Sequence, residues 1–171
     1  MADFRDILLQ KESVNPDISP NRVADLLVEK KVTLSVAESI TGGAICAELV
    51  KIPGASKYLL GGVVAYSNRI KVSEARVNPK TIARYGAVSA QVCLEMAQGI
   101  RHKYQTTIGL STTGFAGPRL ENEKVGLTYI GCVKEGTEVV KPFLFNGERA
   151  SIIHQATFAA LDLLRYVLST N

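Results

Sequence analysis

Residues 37–43, with the sequence AESITGG, combine hydroxyl groups and adjacent glycines directly after the apolar run of residues 32–36. This pattern predicts a strand, a tight turn and the start of a helix. The first N–H groups of a helix have no intrahelical acceptor, so hydroxyls and glycine amides at such a turn can bind an anion or a developing oxyanion. We therefore expect a chemical site at Ser39, Thr41, Gly42 and Gly43.

Further polar motifs lie where the pattern predicts the ends of strands and helices, which is where ligands gather in α/β folds. They are Pro53-Gly54-Ala55-Ser56, Ala65-Tyr66-Ser67-Asn68 with Lys71, Thr112-Thr113-Gly114-Phe115-Ala116-Gly117-Pro118, and Asn146-Gly147-Glu148-Arg149. We expect several of these motifs to meet at one functional site.

The elements that position these motifs follow from apolar periodicity and from cap and turn signals. Helices are predicted over 20–31 after the Ser19 cap, from 44 to the stop at Pro53, briefly from Pro79 to the stop at Gly86, from the Ser89 cap through Ile100, and over 152–167. Strands are predicted over 32–36, 58–67, 106–113, 125–133 and 138–145, the last two joined by a hairpin turn at Glu135-Gly136-Thr137.

This order of elements predicts an α/β fold, a three-layer α/β/α sandwich with helices on both faces of a mixed sheet of about five strands. The terminal hairpin is antiparallel, so the sheet cannot be all-parallel. The chain has 171 residues, of which 46% are hydrophobic, which suits a single domain. We expect an N-terminal arm over 1–18 and one domain over 19–171.

Composition limits the classes of partner. The formal net charge is +4, but no basic cluster is dense enough for a nucleic-acid surface. No apolar run approaches the ~20 residues that span a bilayer, and the N-terminus lacks a signal-peptide core, so we expect a cytoplasmic protein without a membrane partner. Cys46, Cys93 and Cys132 are far apart and predicted to be structural thiols, and no metal site is expected.

In chain order, the motifs are AESITGG at 37–43, GGVVAYSN at 61–68, GAVS at 86–89, TGFAGP at 113–118 and Gly147-Glu148-Arg149. The chain closely resembles the C-terminal domain of the competence/damage-inducible CinA family, which has AESxTGG, GGVVAYSN, GAVS, TGxAGP and a late Gly-x-Arg in the same order. The resemblance covers about residues 20–168. It implies an amidohydrolase without a cofactor, which converts the carboxamide of nicotinamide mononucleotide to nicotinate mononucleotide and ammonia in pyridine-nucleotide recycling.

Two serines compete for the role of nucleophile in such a reaction. Ser56 matches the second serine of the family's Gly-Ser-Ser, with Ala55 in place of the first, whereas Ser39 lies at the strand–helix turn. That turn also suits an oxyanion or phosphate cradle. We expect Ser56 to attack, with Lys71 as its base, and Ser39 to orient the substrate; a helix cap or turn hydroxyl is the alternative for either serine.

Lys71 near Tyr66 is the candidate base in a Ser/Lys or Ser/Tyr/Lys arrangement, because His102 and His154 are the only histidines and neither is well placed. A lysine must be neutral to accept a proton, and burial lowers its pKa from about 10.4. A solvated surface lysine is the alternative. Tyr66 is expected to donate to the leaving group or stack on the pyridine ring, and otherwise to be a rim aromatic.

The remaining candidates are expected to bind the substrate. Thr113 and Gly114 end a predicted strand and are the expected oxyanion donors, while Asn68 is expected to fix its turn. Arg149, beside Gly147, is expected to bind phosphate through its guanidinium and the helix amides. A solvated first-turn arginine is the alternative.

One segment departs from the family pattern. Family members have a glycine-rich run followed by Lys-Pro after TGxAGP, whereas residues 119–125 here are RLENEKV. The family resemblance favours an active amidase. The altered segment leaves two alternatives, a nucleotide-binding module that has lost the chemistry and a partner-binding module. A homo-oligomer, by default a dimer, is expected.

Overall fold

The structure is a computed structural model that describes residues 19–118 and 124–170. The predicted arm over 1–18 and most of the segment 119–124 lie outside the described residues. No helix in the described part of the chain is long and apolar enough to cross a membrane.

The described residues form α-helices and β-strands in nearly the predicted order. The helices are α1 (Pro20–Glu29), α2 (Ala44–Val50), α3 (Asn68–Ser73), α4 (Pro79–Tyr85), α5 (Ala90–Tyr104) and α6 (Arg149–Ser169). The strands are β1 (Leu34–Glu38), β2 (Leu59–Val64), β3 (Ile108–Gly114), β4 (Leu127–Lys134) and β5 (Thr137–Leu144), with a short 3₁₀ helix at Ala55–Lys57 before β2.

The strands form one sheet in the order β2-β1-β3-β4-β5. β1 pairs in parallel with both β2 and β3, whereas β4 is antiparallel to β3 and to β5. The predicted mixed sheet of about five strands is confirmed. Because β1, β2 and β3 are parallel, their carboxyl ends share one edge of the sheet, where the turns that follow them can meet.

Helices cover both faces of the sheet, which confirms the predicted three layers. α1, α2 and α6 pack on one face, and α5 packs across the other with α3 and α4 beside it. β1 is buried along its whole length, and its side chains alternate between the two cores: Val36 lies in the first core with Leu27, and Ala37 lies in the second with Met96. A central strand that is covered on both faces holds its carboxyl end in a fixed position.

Two local features differ from the prediction. Ser19 precedes α1, but its side chain makes no cap hydrogen bond. α3 was not predicted, because six residues are too few to show apolar periodicity. Its start is marked by Ser67, whose Oγ accepts a hydrogen bond from the Ile70 N–H at 3.3 Å. This short helix matters because it carries Lys71.

Candidate functional site

Ser39 and Lys71 form a hydrogen-bonded pair at the carboxyl edge of the parallel strands. Ser39 directly follows β1, and Lys71 lies in α3, the first helix after β2. Lys71 Nζ lies 2.8 Å from Ser39 Oγ and donates to the Ala65 carbonyl at 2.8 Å. A hydroxyl and an amine at this distance can exchange a proton directly.

Lys71 is almost completely buried, with 2% of its surface exposed. Burial lowers the pKa of Lys71 from its ordinary value of 10.5 to about 8, because loss of water disfavours the charged ammonium. With this pKa, about a tenth of the molecules carry a neutral amine at pH 7. Lys71 therefore has the burial that was predicted for a base and contacts a hydroxyl that can act as a nucleophile.

Ser56 does not contact Lys71, which corrects the predicted pairing. Ser56 lies exposed in the 3₁₀ helix before β2, whereas Lys71 follows β2. β2 has six residues, so its two ends are roughly 20 Å apart. Ser39, the serine that was expected only to orient the substrate, is the one that pairs with Lys71.

Glu38, the last residue of β1, holds the start of α2. Its buried carboxylate accepts hydrogen bonds from the backbone N–H groups of Gly43 at 2.9 Å, Ile45 at 3.1 Å and Cys46 at 2.9 Å. These are the orphan amides of a helix start, which favour negative charge. The cradle that was expected to bind a substrate anion is therefore occupied by a carboxylate of the chain itself.

Thr41 and Gly42 also hold the turn together. Thr41 Oγ1 and Thr112 Oγ1 share a hydrogen bond at 2.8 Å, and the Gly42 N–H donates to the Ser39 carbonyl at 3.3 Å. Gly42 and Gly43 both have positive φ, a conformation that glycine adopts without strain. The prediction that Thr41, Gly42 and Gly43 contact the substrate is thus corrected: they shape the turn that carries Ser39.

Thr113 has a role different from the predicted one. Its Oγ1 donates to the Ala87 carbonyl at 2.9 Å and so ties β3 to the segment before α5. The hydroxyl proton is committed to that bond and is not available to an oxyanion. Gly114 is enclosed, because a Cβ there would lie 2.7 Å from both Ile40 Cδ1 and the Leu127 carbonyl oxygen, so a side chain cannot fit.

Arg149 and Tyr66 meet at the rim. Arg149, the first residue of α6, donates from Nη2 to Tyr66 Oη at 2.8 Å and from Nη1 to the Gly117 carbonyl. Tyr66 is 62% exposed. The contact joins the segments that follow β2 and β3 to the start of α6. Both acceptors of Arg149 are uncharged, so an anion could replace them with a stronger interaction.

These groups enclose a cleft of about 350 Å³, within the usual size range of small-molecule sites. The residues that line it are Ser39, Ile40, Tyr66, Asn68, Lys71, Ala87, Val88, Thr113, Gly114, Phe115, Ala116, Gly117, Pro118 and Arg149. Seven of the predicted site residues thus share one cleft. Ser56, Thr41, Gly42, Gly43 and Gly147 are not among its lining residues.

Asn68 and Gly147 have local structural roles. Asn68 is the first residue of α3, whose cap is Ser67. Gly147 has φ of 116° and lies just before α6, where this conformation turns the chain into the helix.

The cysteines are poorly suited to nucleophilic chemistry. Burial raises the thiol pKa of Cys93, Cys132 and half-buried Cys46 to about 12, and Glu38 adds to the effect at Cys46. Across residues 19–118 and 124–170, no three His, Cys, Asp or Glu side chains are grouped so that they could hold a metal ion.

Glu38 was given no role in the sequence analysis. An acidic residue in the segment that leads from a predicted strand into a predicted helix was the available signal, because negative charge is stabilised near a helix start.

The comparisons with known proteins identify the family and agree with the fold. The family model "CinA C-terminal domain" matches residues 17–168. A CinA-like protein of Dictyoglomus thermophilum is 47% identical over 145 residues, which cover 84% of this chain and 35% of that protein. A crystal structure of a competence-damaged protein (CinA) superfamily member from Klebsiella pneumoniae has a TM-score of 0.85 at 28% identity, covering 88% of this chain and 95% of the other.

A CinA superfamily crystal structure from Escherichia coli has a TM-score of 0.82 at 25% identity, over 86% of this chain and 87% of the other. The curated relatives are longer: this chain spans between 35% and 42% of the length of six that it matches.

Proposed function

This chain belongs to the CinA C-terminal domain family, and we propose that it hydrolyses the carboxamide of nicotinamide mononucleotide to nicotinate mononucleotide and ammonia. The observation that carries the proposal is the contact of 2.8 Å between Ser39 Oγ and the amine of buried Lys71. Acyl transfer needs a nucleophile and a base in this relation. Ser39 replaces Ser56 as the proposed nucleophile.

In the first half of the reaction, Ser39 Oγ attacks the carboxamide carbon and neutral Lys71 takes the hydroxyl proton. A C–O bond forms and the carbonyl π pair moves onto the oxygen. When this tetrahedral species collapses, the C–N bond breaks and the Lys71 ammonium gives its proton to the departing nitrogen. Ammonia leaves, and the nicotinoyl group of the mononucleotide remains as an ester on Ser39.

In the second half, water attacks the ester carbon while Lys71 takes one of its protons. The ester C–O bond then breaks, and Lys71 returns the proton to Ser39 Oγ. The products are the free serine and the nicotinate carboxylic acid, which ionises. One lysine thus acts alternately as base and acid, which requires a pKa near the working pH, and burial lowers the pKa of Lys71 to about 8.

The rim supplies contacts for a nucleotide. The Arg149 guanidinium would exchange the Tyr66 hydroxyl and the Gly117 carbonyl for phosphate oxygens, since charge-assisted hydrogen bonds are the stronger ones. Tyr66 only accepts in its contact with Arg149, so its own O–H proton can be donated to the substrate once the phosphate has replaced it. Its exposed ring can also stack on the pyridine.

The test is ammonia release by the purified chain from nicotinamide mononucleotide, nicotinamide riboside and nicotinamide. We expect the mononucleotide to be preferred. Ser39→Ala should lower kcat by at least about 10³-fold. Ser56→Ala is the matched control, because it removes the same hydroxyl from an exposed site at the far edge of the sheet, and it should retain wild-type kcat.

Arg149→Ala separates recognition from chemistry. It should raise KM for the mononucleotide by about ten- to a hundredfold, the value of a hydrogen bond to a charged group, and leave the riboside unaffected. Absence of ammonia from the wild type would refute the amidase, and saturable binding without turnover would indicate a binding module instead. Loss of activity in Ser56→Ala alone would refute the assignment of Ser39.

A further inference from the structure

Most backbone N–H groups between the end of β1 and the first turn of α2 are hydrogen-bonded within the protein. The Ser39 N–H donates to the Thr112 carbonyl at 3.0 Å, and the Ala44 N–H donates to the Thr41 carbonyl at 3.1 Å. The Gly42 N–H is bonded to the Ser39 carbonyl, and the three amides at the start of α2 are bonded to Glu38.

Within the described part of the chain, Ile40 and Thr41 are the residues of this turn whose N–H groups have no acceptor. Both residues are buried, but Ile40 lines the cleft and Thr41 does not. Buried backbone donors in native proteins are almost always paired with protein, water or ligand. Because Ile40 lines the cleft, a substrate bound there is the candidate acceptor for its N–H.

We propose that the Ile40 N–H is an oxyanion donor of this site. The assignment rests on the proposed function, with Ser39 as nucleophile. Ile40 is the residue after Ser39, and the N–H of the residue after the nucleophile is one oxyanion donor of α/β-hydrolase sites. As the bond from Ser39 Oγ forms and the carbonyl pair moves onto oxygen, the Ile40 N–H stabilises the new negative charge without transferring its proton.

Glu38 is the positioning residue that leaves this donor in place. By accepting from Gly43, Ile45 and Cys46, it fixes the exit of the turn. Because Glu38 occupies the amides at the start of α2, the phosphate of a substrate has Arg149 at the rim as its cationic partner. The carboxamide oxygen is then left to Ile40.

The test replaces the amide N–H of residue 40 with an ester oxygen, by incorporating the α-hydroxy acid analogue of isoleucine into the full chain. The side chain is unchanged. We expect kcat for ammonia release to fall by about 10²- to 10³-fold with little change in KM, the usual effect of losing one oxyanion donor. The same replacement at Thr41 is the matched control and should leave kcat within about threefold, at the limit of what such changes resolve.

A second readout does not depend on the natural substrate. The rate at which a fluorophosphonate labels Ser39 also requires stabilisation of a developing negative oxygen, so the residue-40 ester should slow labelling by a factor similar to its effect on kcat. A wild type that is labelled but releases no ammonia would refute the proposed substrate and leave this test intact. Equal labelling rates for the wild type and the residue-40 ester, or a larger loss from the residue-41 ester, would overturn the assignment of Ile40.

Discussion

Replacing Lys71 with methionine should change the pH dependence of stability in a defined way. Methionine has a similar length and no charge, so it removes the cost of burying an ammonium. Burial lowers the pKa of Lys71 from 10.5 to about 8. A depression of this size corresponds to about 3 kcal/mol of unfavourable free energy in the folded state while the lysine is protonated.

The pH window follows from the two pKa values. Between about pH 8 and pH 10.5 the unfolded chain holds the Lys71 proton and the folded chain does not, so wild-type stability rises with pH in that range. A methionine side chain at this position cannot titrate. The free energy of unfolding of the wild type should therefore gain about 2.5 kcal/mol relative to Lys71→Met between pH 7 and pH 10.

At pH 7 the difference in free energy of unfolding between Lys71→Met and the wild type is smaller than the full cost of burying the ammonium. Lys71→Met also removes the donor to Ser39 Oγ and to the Ala65 carbonyl, and each lost hydrogen bond costs about 1 kcal/mol. Any change in these bonds when Lys71 loses its proton is part of what sets its pKa and is already counted in the pH-dependent part. The quantity to measure is thus how the difference in free energy of unfolding between the two proteins changes with pH.

The assay is urea unfolding followed by far-ultraviolet circular dichroism at pH 7, 8, 9 and 10, because the chain has no tryptophan for fluorescence. Ionisation of tyrosines and thiols at high pH is common to both proteins and cancels in the difference. Lys80→Met is the matched control, since Lys80 is exposed on α4 and its charge stays hydrated in the folded state. A difference for Lys71→Met that stays constant within about 0.5 kcal/mol across this range would refute the reasoning that Lys71 is a buried cation.

Three further predictions concern the site. Because burial lowers the pKa of Lys71 to about 8, kcat/KM should rise about tenfold per pH unit below pH 8 and level off above it; a flat pH–rate profile from pH 6 to 9 would contradict a lysine base. Glu38→Gln should lower thermal stability and reduce kcat about tenfold or more. The midpoint of the kcat/KM profile near pH 8 should stay unchanged, because Glu38 bonds to backbone amides and not to Lys71. A shift of that midpoint would show that Glu38 acts on Lys71 directly. Burial raises the thiol pKa of Cys93 and Cys132 to about 12, so both should resist iodoacetamide at pH 8 in the folded protein and react after unfolding in guanidinium. Mass spectrometry would record the alkylation, and rapid alkylation of the folded protein would contradict their burial.

The fold was predictable because its signals are local. The stripe of Val92, Met96 and Ile100 after the Ser89 cap predicted α5, and the turn at Glu135-Gly136-Thr137 predicted the antiparallel pair β4 and β5. Strand ends differ from the prediction by one to three residues, as expected where apolar runs fade gradually.

The site was less predictable because it depends on contacts between distant residues. Ser39 and Lys71 are 32 positions apart, and the short helix that orients Lys71 has no periodic signal. The sequence itself argued against pairing Ser56 with Lys71. Ser56 precedes a predicted strand and Lys71 follows it, so the length of that strand separates them. The predicted dimer and the role of residues 119–124 stay predictions.

Glu38 and Lys71, the two buried ionisable side chains at this turn, bind to separate sets of partners. If Glu38 paired with Lys71, the carboxylate would favour the ammonium and raise its pKa, and the amine would not accept a proton near neutral pH. Glu38 is instead fully engaged by backbone amides of the α2 start, while Lys71 contacts the neutral Ala65 carbonyl and Ser39 Oγ. Burial then acts on Lys71 without an opposing charge, and its pKa falls to about 8. The turn that first suggested an anion site therefore supports the base indirectly, because its amides bind the carboxylate that would otherwise keep the lysine protonated.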